Sequence, residues 1–440
     1  MPMSRSPSSL PSSSSVAARA PLLSLDEALL RLLAQVTPLE GSESLATFDA
    51  DRRVLAADLV SELQVPPNDN SSMDGYAVRW SEVTEAGVVL PVSQRIAAGH
   101  PAEPLRPGTC ARIFTGAPMP EGADAVVMQE DTREVGGDFH AVHIDAVPVP
   151  GQWVRRAGED VTRGAVVLSR GQRLSPASLG LAASLGLAQL PVMRRPRVAL
   201  FSTGDELVMP GAVAPVDMKP GAIYNSNRFF LRTLLQRLGC EVSDLGIVPD
   251  QRELTLAALK TAADHHDLIL TSGGVSVGEE DHIKPSVQQL GTLDLWQIAM
   301  KPGKPFAFGS IRREADAGAG AGEAAAQACH FMGLPGNPVS SFVTFLLLVR
   351  PFLLRLQGVA VSPLRPVMLP AHFELPRADK RREFVRVRRN AAGGLDLFPN
   401  QRSGVLTSAV WGDGLVDNPA GHTVAHGDLV PYLAFSELLE

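Results

Sequence analysis

Leu25, Ala28, Leu29, Leu32, Leu33 and Val36 recur at helical spacing, and Pro38 ends the run. Ser24 and Glu27 precede it as the N-cap and N3 of a capping box, so the pattern predicts an amphipathic helix starting after Ser24. From about Val65 to Arg163 the texture changes. Gly and Pro punctuate short apolar pieces (Gly87–Leu90, Ala125–Met128, Ala141–Ile144), which reads as an all-β module. Ser178–Leu190, apolar with small residues, predicts a second helix. Beyond Arg195, apolar strands at Val198–Phe201, Val242–Val248 and Asp267–Leu270 alternate with helices. One is Phe229–Leu238, ended by Gly239; another runs to about Ala263 with Asp250 and Glu253 as its caps. Such alternation predicts βαβ units and a parallel sheet covered on both faces. Pro338–Gln357 predicts a long apolar helix closed by Gly358. After Pro363, short strands with Gly, Pro and Asn turns predict a small β-barrel.

These patterns predict an α/β plus β multidomain chain. The expected parts are a disordered Ser/Pro-rich tail (1–21), a helical connector (22–65 with 166–194), an inserted β domain (66–165), an α/β domain (195–358) and a C-terminal β-barrel (359–440). Residues 314–327, almost all Ala, Gly, Asp and Glu, read as a mobile insertion. No internal repeat is evident.

Composition narrows the function. The 440 residues are 45% hydrophobic and 20% charged, enough to bury several cores. With 40 Lys plus Arg against 47 Asp plus Glu, the net charge is −7, which disfavours a general nucleic-acid binder. The run Phe342–Val349 stops at Arg350-Pro351, short of the roughly 20 residues a membrane span needs. The N-terminus lacks the apolar core of a secretory signal. Cys110, Cys240 and Cys329 are far apart, with no disulfide or zinc spacing, as suits a reducing compartment. The expectation is a cytoplasmic protein with neither nucleic-acid nor membrane partners.

Three strand ends release loops rich in Gly, Ser, Thr and acids: Ser202-Thr203-Gly204-Asp205-Glu206, Thr271 to Gly278 (with Ser272, Gly273, Gly274 and Ser276), and Gly333 to Pro338 (with Pro335, Gly336 and Asn337). Ligands bind outside the carboxyl ends of parallel strands. Gly-rich backbone with hydroxyls forms an anion nest, and Pro338 suits the first turn of the helix behind it. None of the loops matches a Walker or dinucleotide fingerprint. Glu206 and Asp281 stand beside this nest, where a divalent cation could bridge them to phosphate. Glu279 and Glu280 read equally as a solvated acidic loop. Lys301-Pro302-Gly303-Lys304-Pro305 presents two ammonium groups on a rigid loop suited to a compact dianion. Arg377 to Arg389 holds seven basic residues against two acids, either a solvated strand face or the rim of an anion site. His422 and His426 are spaced i, i+4, but Gly421, Gly427, Thr423 and Val424 argue turn or strand rather than a zinc-binding helix.

Eight motifs in consistent order resemble the MoeA family of molybdopterin molybdenumtransferases, to which the E domain of gephyrin is related. They are Asn70 to Ala77 (NSSMDGYA), Thr115 to Pro118 with Gly122 to Val127, Arg156 to Asp160 (RAGED), Ser202 to Leu207 (STGDEL), Tyr224 to Arg228 (YNSNR), Thr271 to Gly278 (TSGGVSVG), Lys301 to Gly309 (KPGKPFAFG) and Gly333 to Ser340 (GLPGNPVS). The resemblance runs from about Leu22 to the C-terminus. Residues 314–327 have no counterpart in it, and Ser408 to Asp413 fits loosely.

The resemblance implies a transferase that acts on adenylylated molybdopterin and molybdate, releases AMP and requires a divalent cation such as Mg²⁺. It implies a homodimer with an inter-subunit active site, and partners among molybdopterin adenylyltransferases and molybdoenzymes. It assigns functional acids to Asp160, Glu206, Asp250 and Asp281, with Asp160, Glu206 and Asp281 toward the metal. Lys301 and Lys304 fall on the molybdate side, and Ser272 and Ser276 on the nest. Asp74 and Thr115 would be brought by the β domain of one subunit toward the α/β domain of the other. Arg386, Gln401, Ser403 and Ser408 match the last domain more loosely. Two other functions share parts of this pattern: a molybdopterin adenylyltransferase consuming ATP, and a gephyrin-like scaffold.

Overall fold

The computed structural model describes residues 22–136, 140–274, 282–313 and 328–439; the expected tail and the 314–327 insertion lie outside them. The chain forms two compact units, Glu40–Met193 and Met1–Leu39 with Arg194–Glu440.

Helix α1 (Leu25–Ala34) is where the sequence places it. Ser24 Oγ accepts the Glu27 N–H (3.1 Å), and the Glu27 carboxylate is taken by Arg31 Nη2 one turn on (2.6 Å). Leu25, Ala28 and Leu32 are buried in the core of the Arg194–Glu440 unit. The helix therefore packs with that unit.

The unit Glu40–Met193 contains strands β1 (Ser42–Ala46), β2 (Asn70–Ser71), β3 (Gly75–Val78), β4 (Val89–Ile96), β5 (Cys110–Ile113), β6 (Ala125–Met128), β7 (Thr132–Val135), β8 (Ala141–Ile144), β9 (Val154–Arg155) and β10 (Gln189–Met193). Six of them make a sheet in the order β6-β3-β5-β4-β8-β7. Alternation along these strands buries Tyr76, Val78 and Val127 in one cluster and Ala77, Ile113 and Val126 in another. The predicted helix 178–190 is only partly present. Helix α2 covers Pro176–Ser184, Gly186 turns the chain at φ +77°, and β10 pairs antiparallel with β1. Leu190 and Val192 are buried while Gln189 is exposed, a period of two that the small apolar residues before it obscure.

The second unit holds β11 (Arg197–Thr203), β12 (Glu241–Val248), β13 (Leu268–Ser272), β14 (Gly291–Gln297), β15 (Met300–Lys301), β16 (Pro305–Ile311) and β17 (Cys329–Leu334). Its sheet runs β12-β11-β13-β17-β16-β14. The first four strands are parallel as expected, but β16 and β14 add an antiparallel edge. Residues 298–304 join β14 to β16, too short a link for the crossover that a parallel pair requires. Helices α3 (Asn227–Arg237), α4 (Arg252–His265) and α5 (Ile283–Leu290) accompany the sheet. The N-cap of α4 is Gln251, not Asp250, and no side chain caps it.

Helix α6 (Pro338–Leu356) is long and apolar enough to cross a membrane, with a mean hydropathy of 1.7, but 83% of that window is buried inside the protein, so it is a core helix. Phe345–Val349 within it is wound as a π-helix. Strands β18 (Val367–Pro370), β19 (Arg382–Arg389), β20 (Leu395–Leu397), β21 (Gly414–Asn418) and β22 (Leu429–Ala434) form the last sheet with β15, in the order β15-β19-β21-β22-β18, with β20 on β19. Ala371, just past β18, bridges to Leu395 of β20, and His372 N–H donates to the Leu395 carbonyl (2.9 Å), which closes the predicted barrel. One hydrophobic cluster runs through Leu32 of α1, Leu200 and Leu270 of the sheet, Phe352 of α6 and Phe384, Leu415 and Leu433 of the barrel.

Candidate functional site

Parallel register aligns Ser202 with Ser272 and Ser272 with Leu334, so β11, β13 and β17 end at one level. Their loops open onto a cleft of about 510 Å³, lined by Thr203, Glu206, Tyr224 to Asn227, Ser272, Gly273, Gly336 to Pro338 and Gly404. Of the residues expected at the nest, the cleft brings together Glu206, Ser272, Gly273, Gly336 and Asn337. Gly274 follows directly; Ser276 and Asp281 lie outside the described residues. Gly273 is left-handed (φ +93°), and a Cβ there would stand 2.9 Å from the Thr203 carbonyl. At Gly204, a Cβ would meet Glu206 Oε2 at 2.6 Å, because the Glu206 carboxylate folds over the glycine.

The walls are tied together by a residue that sequence reasoning missed. Asn227, at the start of α3, donates both amide hydrogens, to Ser272 Oγ and to the Gly336 carbonyl (2.7 Å each). Ser341 Oγ donates to the Pro335 carbonyl, which fixes the third loop from behind. Val339 N–H donates to the Ser403 carbonyl (2.9 Å), so a loop of the barrel closes over the start of α6 and brings Gly404 to the cleft. Asn225 is also missed: it is 2% exposed, and its Nδ2 has no partner. Its sequence signals are its place between a strand end and a helix start and its membership of the Tyr224 to Arg228 motif, neither of which assigns it a role. Asp250 sits just past β12, partly exposed and away from the lining.

The lysine loop divides. Lys301 Nζ donates to Glu383 Oε1 (2.7 Å) and stands 3.3 Å from Asp379, since β15 pairs with β19 and sets Lys301 opposite Glu383. The Glu383 hydrogen bond raises the Lys301 pKa. Its ammonium is thus engaged within the protein, contrary to a free dianion ligand. Lys304 has no ion-pair partner among the described residues.

The basic strand also divides. Arg382 pairs with Asp417 (2.5 Å) and Asp26 (2.9 Å), and Arg388 lies over the Trp411 ring (4.6 Å). Arg386 is 1% exposed. Its Nε donates to Ser408 Oγ (3.1 Å) and its Nη1 to the Phe384 carbonyl (3.1 Å), while Nη2 has no partner. Burial pushes its guanidinium down to about 10. No carboxylate pairs with it among the described residues. Gln401 grips the Arg386 backbone at both ends, accepting its N–H (2.9 Å) and donating to its carbonyl (3.0 Å). Gln401 and Ser408 therefore position Arg386, and Ser403 acts through its backbone.

In the unit Glu40–Met193, one carboxylate oxygen of Asp74 accepts both the Thr115 N–H and its hydroxyl, each at 2.8 Å. These bonds, the backbone one first, hold Asp74 below the usual carboxylate range. Asp160 is exposed and lines a separate cavity of about 410 Å³ with Asn70, Arg155 and Glu159. Asn70 Oδ1 is buried there without a partner. Asp160 and Glu206 thus belong to different compact units. Among the described residues no three His, Cys, Asp or Glu gather as a metal centre, and the segment around His422 and His426 is turn and loop.

Residues 23–186 match the family described as the MoeA N-terminal region (domain I and II), residues 199–355 a probable molybdopterin binding domain, and residues 368–435 the MoeA C-terminal region (domain IV). The chain is 43% identical over 338 residues to a molybdopterin molybdenumtransferase of Haemophilus influenzae, covering 77% of this chain and 78% of that one. It is 34% identical over 407 residues to a molybdopterin molybdenumtransferase of Nostoc sp., covering 90% and 89%. The crystal structure of a molybdopterin biosynthesis moeA protein from Pyrococcus horikoshii superposes with a TM-score of 0.78 at 27% identity, over 93% of this chain and 99% of that one.

Proposed function

The chain belongs to the MoeA family of molybdopterin molybdenumtransferases, transferases that insert molybdenum into molybdopterin, and we propose that it does so from adenylylated molybdopterin and molybdate, releasing AMP. The observation that carries this reading is the cleft where three strand-end loops, two helix starts and Glu206 converge. The nest of Ser272, Gly273, Gly336 and Asn337 suits the phosphates, held by backbone N–H groups and neutral side chains.

A divalent cation fits Glu206. It is the one formally charged residue lining the cleft among the described residues, and a phosphate beside a carboxylate is repelled unless a cation lies between them. When bound, such a cation neutralises charge that develops on the leaving phosphate. Asp281 is a further ligand in this proposal, and Asp160, on the other compact unit, is proposed to act from a second copy. Lys304 and Arg386 are the candidate receptors for molybdate, because neither has a carboxylate partner among the described residues and the Arg386 Nη2 donor is buried unpaired. Asp74 and Thr115, on the other compact unit, are proposed to complete the site of a second copy in a homodimer. Three buried free thiols, Cys110, Cys240 and Cys329, favour placement in the reducing cytoplasm. A molybdopterin adenylyltransferase would supply the substrate, and molybdoenzymes would take the product.

The test supplies the purified chain with adenylylated molybdopterin, Mg²⁺ and molybdate, and follows AMP release together with cofactor that activates an apo-molybdoenzyme. Molybdate-dependent release of AMP is expected. Consumption of ATP with no AMP from the adenylylated pterin would instead make it an adenylyltransferase.

A further inference from the structure

We propose that Asn225 holds a phosphate oxygen of the substrate, donating to it from Nδ2. This rests on reading the strand-end cleft as the substrate site. Asn225 lies between Tyr224 and α3, lines the cleft and is 2% exposed. Its Oδ1 accepts the Arg228 N–H at 3.2 Å. Only one of the two amide orientations permits that bond, because the other would set donor against donor. The Nδ2 group is thereby fixed as the end without a partner. A buried donor left unpaired forfeits the hydration it had in the unfolded chain. An acceptor arriving with the ligand makes good that loss.

The surroundings say which acceptor. Helix α3 opens behind Ser226 and α6 behind Asn337, both on the cleft, and neither residue's side chain bonds the first turn of its helix. Both helix starts are positive ends, though Arg228 N–H is taken by Asn225 Oδ1, Phe229 N–H by the Ser226 carbonyl and Val339 N–H by the Ser403 carbonyl. No Lys, Arg or His lines the cleft among the described residues, so neutral donors must meet an anion there. Two helix dipoles and a fixed amide donor without a formal cation are the chemistry of a phosphate nest. Tyr224 does not compete, since its hydroxyl is spent on the Val213 carbonyl (2.7 Å).

Asn225→Asp keeps the size and the acceptor for Arg228 N–H, and turns the donor into a negatively charged acceptor. Asn225→Ala removes the donor without adding charge. Calorimetric titrations of the full chain with inorganic pyrophosphate and with AMP, each with Mg²⁺, are compared with titrations of molybdopterin and of a pterin that carries no phosphate. Wild type should bind pyrophosphate. Asn225→Asp should weaken that binding by about tenfold or more and Asn225→Ala by several-fold, with both variants folded by circular dichroism. Superimposable pyrophosphate isotherms for wild type and both variants would overturn the assignment even if molybdenum insertion proceeds. Loss confined to the phosphate-free pterin would move the donor to the ring and overturn it too. Wild type that binds neither pyrophosphate nor molybdopterin would refute the cleft as the substrate site, a separate failure.

Discussion

Lys301 and Glu383 face each other across the parallel β15–β19 pair, Nζ to Oε1 at 2.7 Å, and join the lysine loop to the barrel. The Glu383 side chain is 9% exposed and that of Lys301 43%, so screening limits the direct attraction to about 1 kcal/mol or less. Removing the lysine leaves a mostly buried carboxylate with less company, which costs roughly 1–3 kcal/mol. Lys301→Met should lower the thermal midpoint, and Glu383→Gln in the same chain should restore part of it. Lys304→Ala should leave the midpoint alone and raise the molybdate requirement about ten- to a hundredfold, as loss of one charge-assisted bond implies. Molybdate titration of cofactor formation decides between the lysines: an equal shift in both variants would return Lys301 to the oxyanion.

Glu206 folds over Gly204 in the cleft and carries the only formal charge of its described lining. Glu206→Gln retains the shape and removes the charge. AMP release should drop by at least about a hundredfold, with the fold intact by circular dichroism, since one carboxylate ligand to a phosphate-bridging cation is gone. Unchanged release, or wild-type release in excess chelator, contradicts a metal role.

Asp74 and Thr115 are locked to each other on one compact unit, while Glu206 lies on the other. If two copies share a site, inactive Asp74→Ala and Glu206→Gln chains should complement one another. Co-expressed with different tags and purified as mixed dimers, they should regain up to one intact site of the two, about half of the wild-type dimer's activity. A monomer by sedimentation, or no recovery in proven mixed dimers, rejects the shared site.

His330 stacks on Phe308 (6.1 Å) and meets Phe352 edge-on (5.0 Å), and burial pushes its imidazole down to about 4. The unfolded chain takes up this proton below about pH 6.5 and the folded chain only near pH 4. Stability should therefore fall as pH drops from about 6.5 to 4 and level off below, by on the order of 3 kcal/mol. His330→Phe should keep the stack and flatten that part of the profile. Denaturant midpoints at pH 7, 5.5 and 4.5 for both proteins measure the difference; parallel profiles would show that His330 does not drive it.

The loops of the cleft were legible because glycine, hydroxyl and acid at the end of an apolar strand have a local meaning. The capped start of α1 and the barrel turns were legible for the same reason. What stayed hidden is decided by partners distant in sequence. Nothing around Lys301 announces Glu383, 82 residues later, and nothing near Asn227 announces Ser272 or Gly336. Gln401 and Ser408 enter as candidates only through the family resemblance, and both bond Arg386. The strand β10 was read as helix because Leu and Ala at close intervals satisfy either period until Gly186 breaks the chain. The antiparallel edge followed from a link length whose strand ends the pattern did not fix.

The hydrophobic interior that passes from α1 through α6 into the barrel has a mechanical meaning. One apolar cluster joins the sheet to the barrel whose Ser403 and Gly404 reach the cleft, so the barrel is not a separable cassette. A chain cut at Gly358 would strip cover from Phe352, Leu348 and Leu32 as well as deleting the barrel. A single unfolding transition shared by both walls of the cleft is the expected outcome.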